Sequence, residues 1–150
     1  MGNYVNSHLD PDEQVVHEAR IHWIVYLGPV LPIGAGLVLA IPSDNYVTPW
    51  GGLALLLVGV ISLVVAYIRQ VTSEFAVTTR RIIIKTGFLS RRTIELNMSK
   101  VESIQVDQDI VGRLLNYGTI VVIGTGGTKE PFQMIDDPMT FRHAVQKEQG

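Results

Sequence analysis

Cysteine is absent from the 150 residues. That excludes a disulfide framework, an iron–sulfur cluster and a thiol nucleophile. Charge is scarce as well: 17% of the residues are Asp, Glu, Lys or Arg, against ~25% in ordinary soluble domains. The deficit is local. No charged residue occurs in 23–43 or in 45–68, and Asp44 alone separates the two runs. Apolar residues reach 47%, and the mean hydropathy is positive at +0.26. Charge-free apolar runs of about 20 residues are long enough, as helices, to cross a hydrocarbon core of ~30 Å. This pattern excludes both an ordinary soluble enzyme and a disordered tail.

Two membrane helices are expected, over 23–41 and 50–68, joined by the polar, turn-forming link 42–49. Trp23, Tyr46, Trp50 and Tyr67 sit at the ends of the runs, where amphipathic rings favour the interface. The residues before the first run are acidic and no small-residue cleavage site follows a short apolar core, so a cleavable leader is not expected. The link carries no Lys or Arg, whereas Arg69, Arg80, Arg81, Lys85, Arg91 and Arg92 follow the second run. The positive-inside rule then places both ends of the chain in the cytoplasm. Gly28, Pro32, Gly36 and Ala40 recur every four residues on the first run, and Ser62 and Ala66 repeat that spacing on the second. Small residues so spaced let helix backbones approach, within the hairpin or between copies. Neither run holds an ionisable residue, which argues against a pump or channel made by this chain alone.

Three regions follow: a cytoplasmic segment 1–22, a helical hairpin 23–68 and a cytoplasmic domain 69–150. In the last, the pattern changes to short strands, expected near 73–78, 80–88, 92–98, 101–106, 119–123 and 131–135. Ile94, Leu96, Ile104, Ile120 and Val122 are the expected inward residues. A short helix is expected over 110–116, stopped by Gly118. Asp137 as N-cap and Pro138 at the first helical position start a second helix that runs to about Gln149. Met139, Phe141 and Val145 would form its buried stripe. Strands followed by one amphipathic helix suggest a small antiparallel barrel plugged at one end, a mainly β or α+β domain.

Further residues carry a resemblance. The runs Phe75-Ala76-Val77-Thr78-Thr79-Arg80-Arg81-Ile82, Lys85-Thr86-Gly87 and Arg91-Arg92-Thr93-Ile94-Glu95-Leu96 are followed by Val101-Glu102-Ser103-Ile104 and Gly112-Arg113-Leu114-Leu115. Then come Tyr117-Gly118-Thr119-Ile120 and Asp136-Asp137-Pro138. In this order and spacing they resemble the bacterial pleckstrin-homology (PH) family, and Glu13, Arg20 and His22-Trp23 ahead of two spans are similar to its membrane-anchored, two-span members. The resemblance implies a two-helix transmembrane hairpin followed by a pleckstrin-homology-like antiparallel β-barrel, its two sheets capped by the C-terminal helix. It also implies residence in the bacterial cytoplasmic membrane, a tendency to homo-oligomerise through sheet edges, and no catalytic site.

Residues 69–100 hold seven bases and two acids, while 101–150 hold four bases and seven acids. The first set makes Arg69, Arg80, Arg81, Lys85, Arg91 and Arg92 candidate lipid-headgroup contacts, each worth ~1 kcal/mol beside an anionic leaflet. The run Gly124-Thr125-Gly126-Gly127-Thr128-Lys129 lacks phosphate-loop spacing and reads as a hairpin turn. His8, His17, His22 and His143 form no metal-binding motif. No serine lies in a nucleophile elbow, no cofactor is implied, and no aromatic ladder accompanies the arginines, so nucleic acid is not an expected partner. Asp107, Asp109, Asp136 and Asp137 read as a solvated face. The expected function is a non-enzymatic scaffolding and self-assembly module at the cytoplasmic leaflet, with lipid bilayer and further copies of itself as partners. The alternative is an accessory subunit of a transport or secretion complex that handles lipid.

Overall fold

Continuous and alternating apolar runs both become strands here, and which kind appears depends on how many faces of the sheet are covered. The computed structural model describes Val5 and residues 9–41, 47–87 and 92–150. Tyr46, most of the expected link and the basic residue Arg91 lie outside the described residues. The chain divides into two compact units: Met1–His22 with Val71–Gly150, and Trp23–Gln70.

The first unit contains seven antiparallel strands in two sheets. One sheet has the order β1 (Val15–Ala19), β2 (Glu74–Thr78), β3 (Arg81–Thr86), β4 (Arg92–Asn97). The other has the order β5 (Val101–Asp107), β6 (Tyr117–Gly124), β7 (Lys129–Asp136). Six of these follow the expected strands closely. The seventh, β1, comes from the segment that the sequence reading set apart: His17 pairs with Val77 and Ala19 with Phe75. Just beyond β1 the chain changes sheets. Ile21 bridges to Ile135, the His22 N–H donates to the Met134 carbonyl at 2.7 Å, and the Asp136 N–H donates to the Arg20 carbonyl at 2.9 Å. A 3-10 turn, Met98–Lys100, links β4 to β5 at the other corner. The expected closed barrel is therefore corrected to two sheets that meet at corners, with β4 and β5 joined by chain and not by a ladder.

Two apolar clusters hold this unit. The main one lies between the sheets and includes Phe75, Val77, Ile82, Ile84, Ile120 and Phe141. Ile94, Leu96 and Ile104 pack against it half-buried. The second lies on the outer face of β2 and β3, where Val5 covers Ala76 and Ile83. Both faces of β2 and β3 are thus buried, which is why β3 reads as an unbroken Ile82-Ile83-Ile84. By contrast β6, covered on one face, alternates: Gly118, Ile120, Val122 and Gly124 are buried. Gly126 and Gly127 adopt φ of +102° and +77° in the β6–β7 turn, so this run is the hairpin its composition implies.

Helix α4 (Pro138–Gln149) closes the space between the sheets. Its Asp137 cap accepts from the Thr140 N–H at 3.4 Å. Hydrogen bonding by Thr140 holds that carboxyl below the usual carboxylate range. The buried stripe is Pro138, Phe141 and Val145; Met139, expected in it, is 41% exposed. Helix α3 (Ile110–Leu115) ends one residue earlier than expected, because Asn116 adopts the left-handed conformation (φ 60°) before Gly118 is reached.

The second unit is a pair of apolar helices, α1 (Leu27–Leu39) and α2 (Val47–Thr72), the first preceded by a 3-10 turn at Trp23–Tyr26. The even pair of 19-residue helices expected from composition is corrected: α1 has 13 residues and α2 has 26.

Candidate functional site

Within the hairpin unit, glycine decides the contact. A Cβ on Gly36 would lie 2.8 Å from the Leu56 backbone nitrogen, and one on Gly52 would lie 2.5 Å from that of Ala40. A Cβ on Gly59 would meet the Ile33 side chain at 2.5 Å. Of the residues singled out by four-residue spacing, Gly36 and Ala40 stand at this contact and Ala66 is buried. Ser62 is half-buried. Gly28 is not at the contact: nothing lies within 4 Å of its missing side chain. The signal that was overlooked is a spacing of seven on α2, Gly52, Gly59 and Ala66, which keeps small residues on one face. At the base of the hairpin the Tyr26 hydroxyl donates to the Gln70 side-chain carbonyl.

The outward surface of this pair is apolar. Leu31, Val38, Ile41, Leu53, Leu57 and Ile61 are each between 47% and 75% exposed. Residues Pro49–Thr72 form one helix long and apolar enough to cross a membrane, with only 17% of its apolar window buried. A core helix of a soluble protein would be mostly buried. Segment Trp23–Leu39 is a shorter apolar helix.

The basic cluster is compensated from within. Arg81 is held by Glu13: its Nε donates to Oε1 at 3.0 Å and a terminal nitrogen to Oε2 at 2.7 Å, and it also reaches Glu95 at 2.9 Å. The Glu13 side chain is fully buried. It also accepts from the Thr78 hydroxyl at 2.6 Å and the Asp10 N–H at 3.2 Å. The Arg81 guanidinium is the chief cause that draws the Glu13 carboxyl from its ordinary 4.5 down to about 2. Arg80 lies 3.8 Å from Asp10 and 4.0 Å from Asp12. Lys85 lies 3.8 Å from Glu74, and Arg92 clamps Glu130 with bonds of 2.8 and 2.9 Å. Each of the four described bases between Arg80 and Arg92 thus has a carboxylate within 4.0 Å. Arg80 and Arg92 remain more than half exposed, Arg81 and Lys85 about one-fifth. Arg69, in the last turn of α2, is exposed.

A third surface was not anticipated. On α3, Ile110 is 88%, Leu114 83% and Val111 50% exposed. The helix is firmly held despite its length. Asp109 Oδ1 accepts from the Gly112 N–H at 2.6 Å, and the Gln108 amide donates to the Tyr117 carbonyl at 2.9 Å. Beside it opens a shallow hollow edged by Asp107, Asp109, Tyr117 and Met134, with no base in its lining. Met134 sits where β7 bulges against β6 and has φ of 58°. None of these groups is a nucleophile paired with a base. The arrangement offers shape, apolar surface and hydrogen bonds, and so suits binding.

Comparison with known proteins agrees in outline. The family model described as a bacterial PH domain matches residues 24–149, a stretch that includes both apolar helices. No curated protein and no solved structure matches the chain.

Proposed function

The chain belongs to the bacterial PH domain family, and from that premise we propose that it is a non-enzymatic binding and scaffolding module anchored in the bacterial cytoplasmic membrane. The observation that carries the proposal is the exposed apolar surface of α2, which leads into β2 after the single residue Ser73. An apolar face of this length has no aqueous partner among the described residues and fits the hydrocarbon core. In this reading α2 makes one pass and the shorter segment Trp23–Leu39, the 3-10 turn with α1, makes the other; the link faces away from the cytoplasm and both ends of the chain lie inside, following the Lys and Arg asymmetry.

The basic residues act in this reading mainly to orient the chain and to bind its own acids, and lipid headgroups compete for Arg69, Arg80 and Arg92. Self-assembly is the second part of the proposal. The outer edges of β4 and β5 carry no proline, and Pro131 lies in β7, so backbone donors and acceptors remain open to another strand. Gly28, with open space around it, offers a contact between copies.

Impermeant thiol labelling of intact cells tests the anchor. Ser43→Cys is expected to label and Ser90→Cys to label only after lysis. The reverse pattern, or recovery of the whole chain in the soluble fraction, overturns it. Mass measurement of the detergent-solubilised chain across a dilution series tests assembly. A monomer at every concentration removes that part and leaves the anchor standing.

A further inference from the structure

We propose that α3 is a second, apolar contact with the bilayer: Ile110, Val111 and Leu114 insert into the interface while α2 anchors the chain. The proposal rests on reading α2 as a membrane span and adds to it a surface on the other unit. Ile110 and Leu114 stand four residues apart and share one helix face, and both are more than four-fifths exposed. Protruding apolar groups gain from a medium that yields around them. A lipid interface does so, whereas a protein would need a matching pocket.

The chain itself supplies the reason that lipid is the occupant. Ser73 alone separates Thr72, the last residue of α2, from Glu74, the first of β2. A unit tethered so closely meets the bilayer at high effective concentration, and weak apolar insertion then becomes an intramolecular event. Within the sheet unit, the hollow beside α3 also adjoins the residue that precedes the hairpin: the His22 ring lies 5.3 Å from that of Tyr117, and the His22 N–H donates to the Met134 carbonyl at 2.7 Å. The helix is also preorganised. Asp109 and Gln108 brace its start, Asn116 turns the chain at its end, and little order remains to be gained on insertion. Charge contributes little. Arg113 is exposed, the Asp109 carboxylate is hydrogen-bonded to the helix, and Asp107 is exposed at the end of β5. Without a net positive patch, insertion depends on apolar surface and not on anionic lipid.

The test uses the full chain in lipid nanodiscs with tryptophan as reporter. Trp23 and Trp50 are the natural tryptophans. Leu114→Trp in a Trp23→Phe/Trp50→Phe background reports α3, and Trp23→Phe alone leaves Trp50 to report the anchor. Leu114 is 83% exposed, so its replacement leaves the core intact; Ile110→Trp is the second reporter. With lipids brominated on the upper acyl chain, α3 should sit about 5–10 Å into the headgroup boundary. Both α3 reporters should then lose most of their emission, equally in zwitterionic and anionic discs and at high salt. Quenching of Trp50 without quenching of either α3 reporter overturns the second contact and leaves the anchor. Absence of quenching at all three positions overturns both. Quenching at α3 that requires anionic lipid and disappears in salt overturns the apolar mechanism.

Discussion

At the scale of single residues, Glu13 is the most consequential side chain in the sheet unit. It ties the segment before β1 to Arg81 on β3 and to Thr78 on β2, all through charge-assisted or short hydrogen bonds. Glu13 is fully buried, whereas Arg81 is about one-fifth exposed and would keep Glu95 at 2.9 Å if Glu13 were removed. Its carboxyl is depressed from 4.5 to about 2. That contribution to stability is therefore fully present above pH ~4.5 and is lost as pH falls toward ~2. Glu13→Gln should destabilise the protein by about 3 kcal/mol at neutral pH. Denaturant melts should show the gap to the parent narrowing below pH ~4.5 and closing near pH ~2. A gap that stays constant across that range would show that the charge is not what stabilises.

At the scale of elements, helix α4 and the hairpin make separate predictions. Phe141 is 1% exposed between the sheets, and Phe→Ala changes of this type cost ~3–5 kcal/mol. A domain of this size has ~5–15 kcal/mol in reserve, so Phe141→Ala should lower the melting temperature of the sheet unit by more than ~10 °C. An unchanged melt would show that the helix does not pack there. In the hairpin, Gly52→Ala forces a Cβ against backbone at 2.5 Å, which no side-chain rotation relieves. Gly28→Ala meets open space and gains helix propensity of ~1 kcal/mol. Thermal denaturation in detergent should fall for the first and hold or rise for the second.

The whole molecule is interleaved: residues on both sides of the hairpin build one sheet unit. Val5 is 1% exposed and covers Ala76 and Ile83. Deleting residues 1–14 should therefore uncover the outer face of β2 and β3, and the chain should bind a hydrophobic dye that the parent does not. Dye binding equal to that of the parent would mean that this face needs no cover. The same interleaving explains the pairing of Arg80 and Arg81. Counting charge along 69–100 omits Asp10, Asp12 and Glu13, which the fold returns to Arg80 and Arg81.

Local signals determined much of this protein. Short alternating or continuous apolar runs between turn signals placed six strands, Asp137-Pro138 placed α4, and charge-free runs marked both apolar helices. These features are legible because they depend on neighbours in the chain: backbone pleat, capping geometry and unbroken apolar runs. Tertiary structure decided the rest. Val15–Ala19 carries no strand signal strong enough to stand alone and becomes a strand because β2 offers an edge. Gly52 and Gly59 matter because of the backbone facing them, and Arg81 is held because Glu13 returns from 68 residues away. Ile110 and Leu114 are ordinary aliphatics in a list of residues, and only the packing of the rest leaves them outside. Long-range contact cancels charge and covers faces, and neither effect has a period that can be read along the chain.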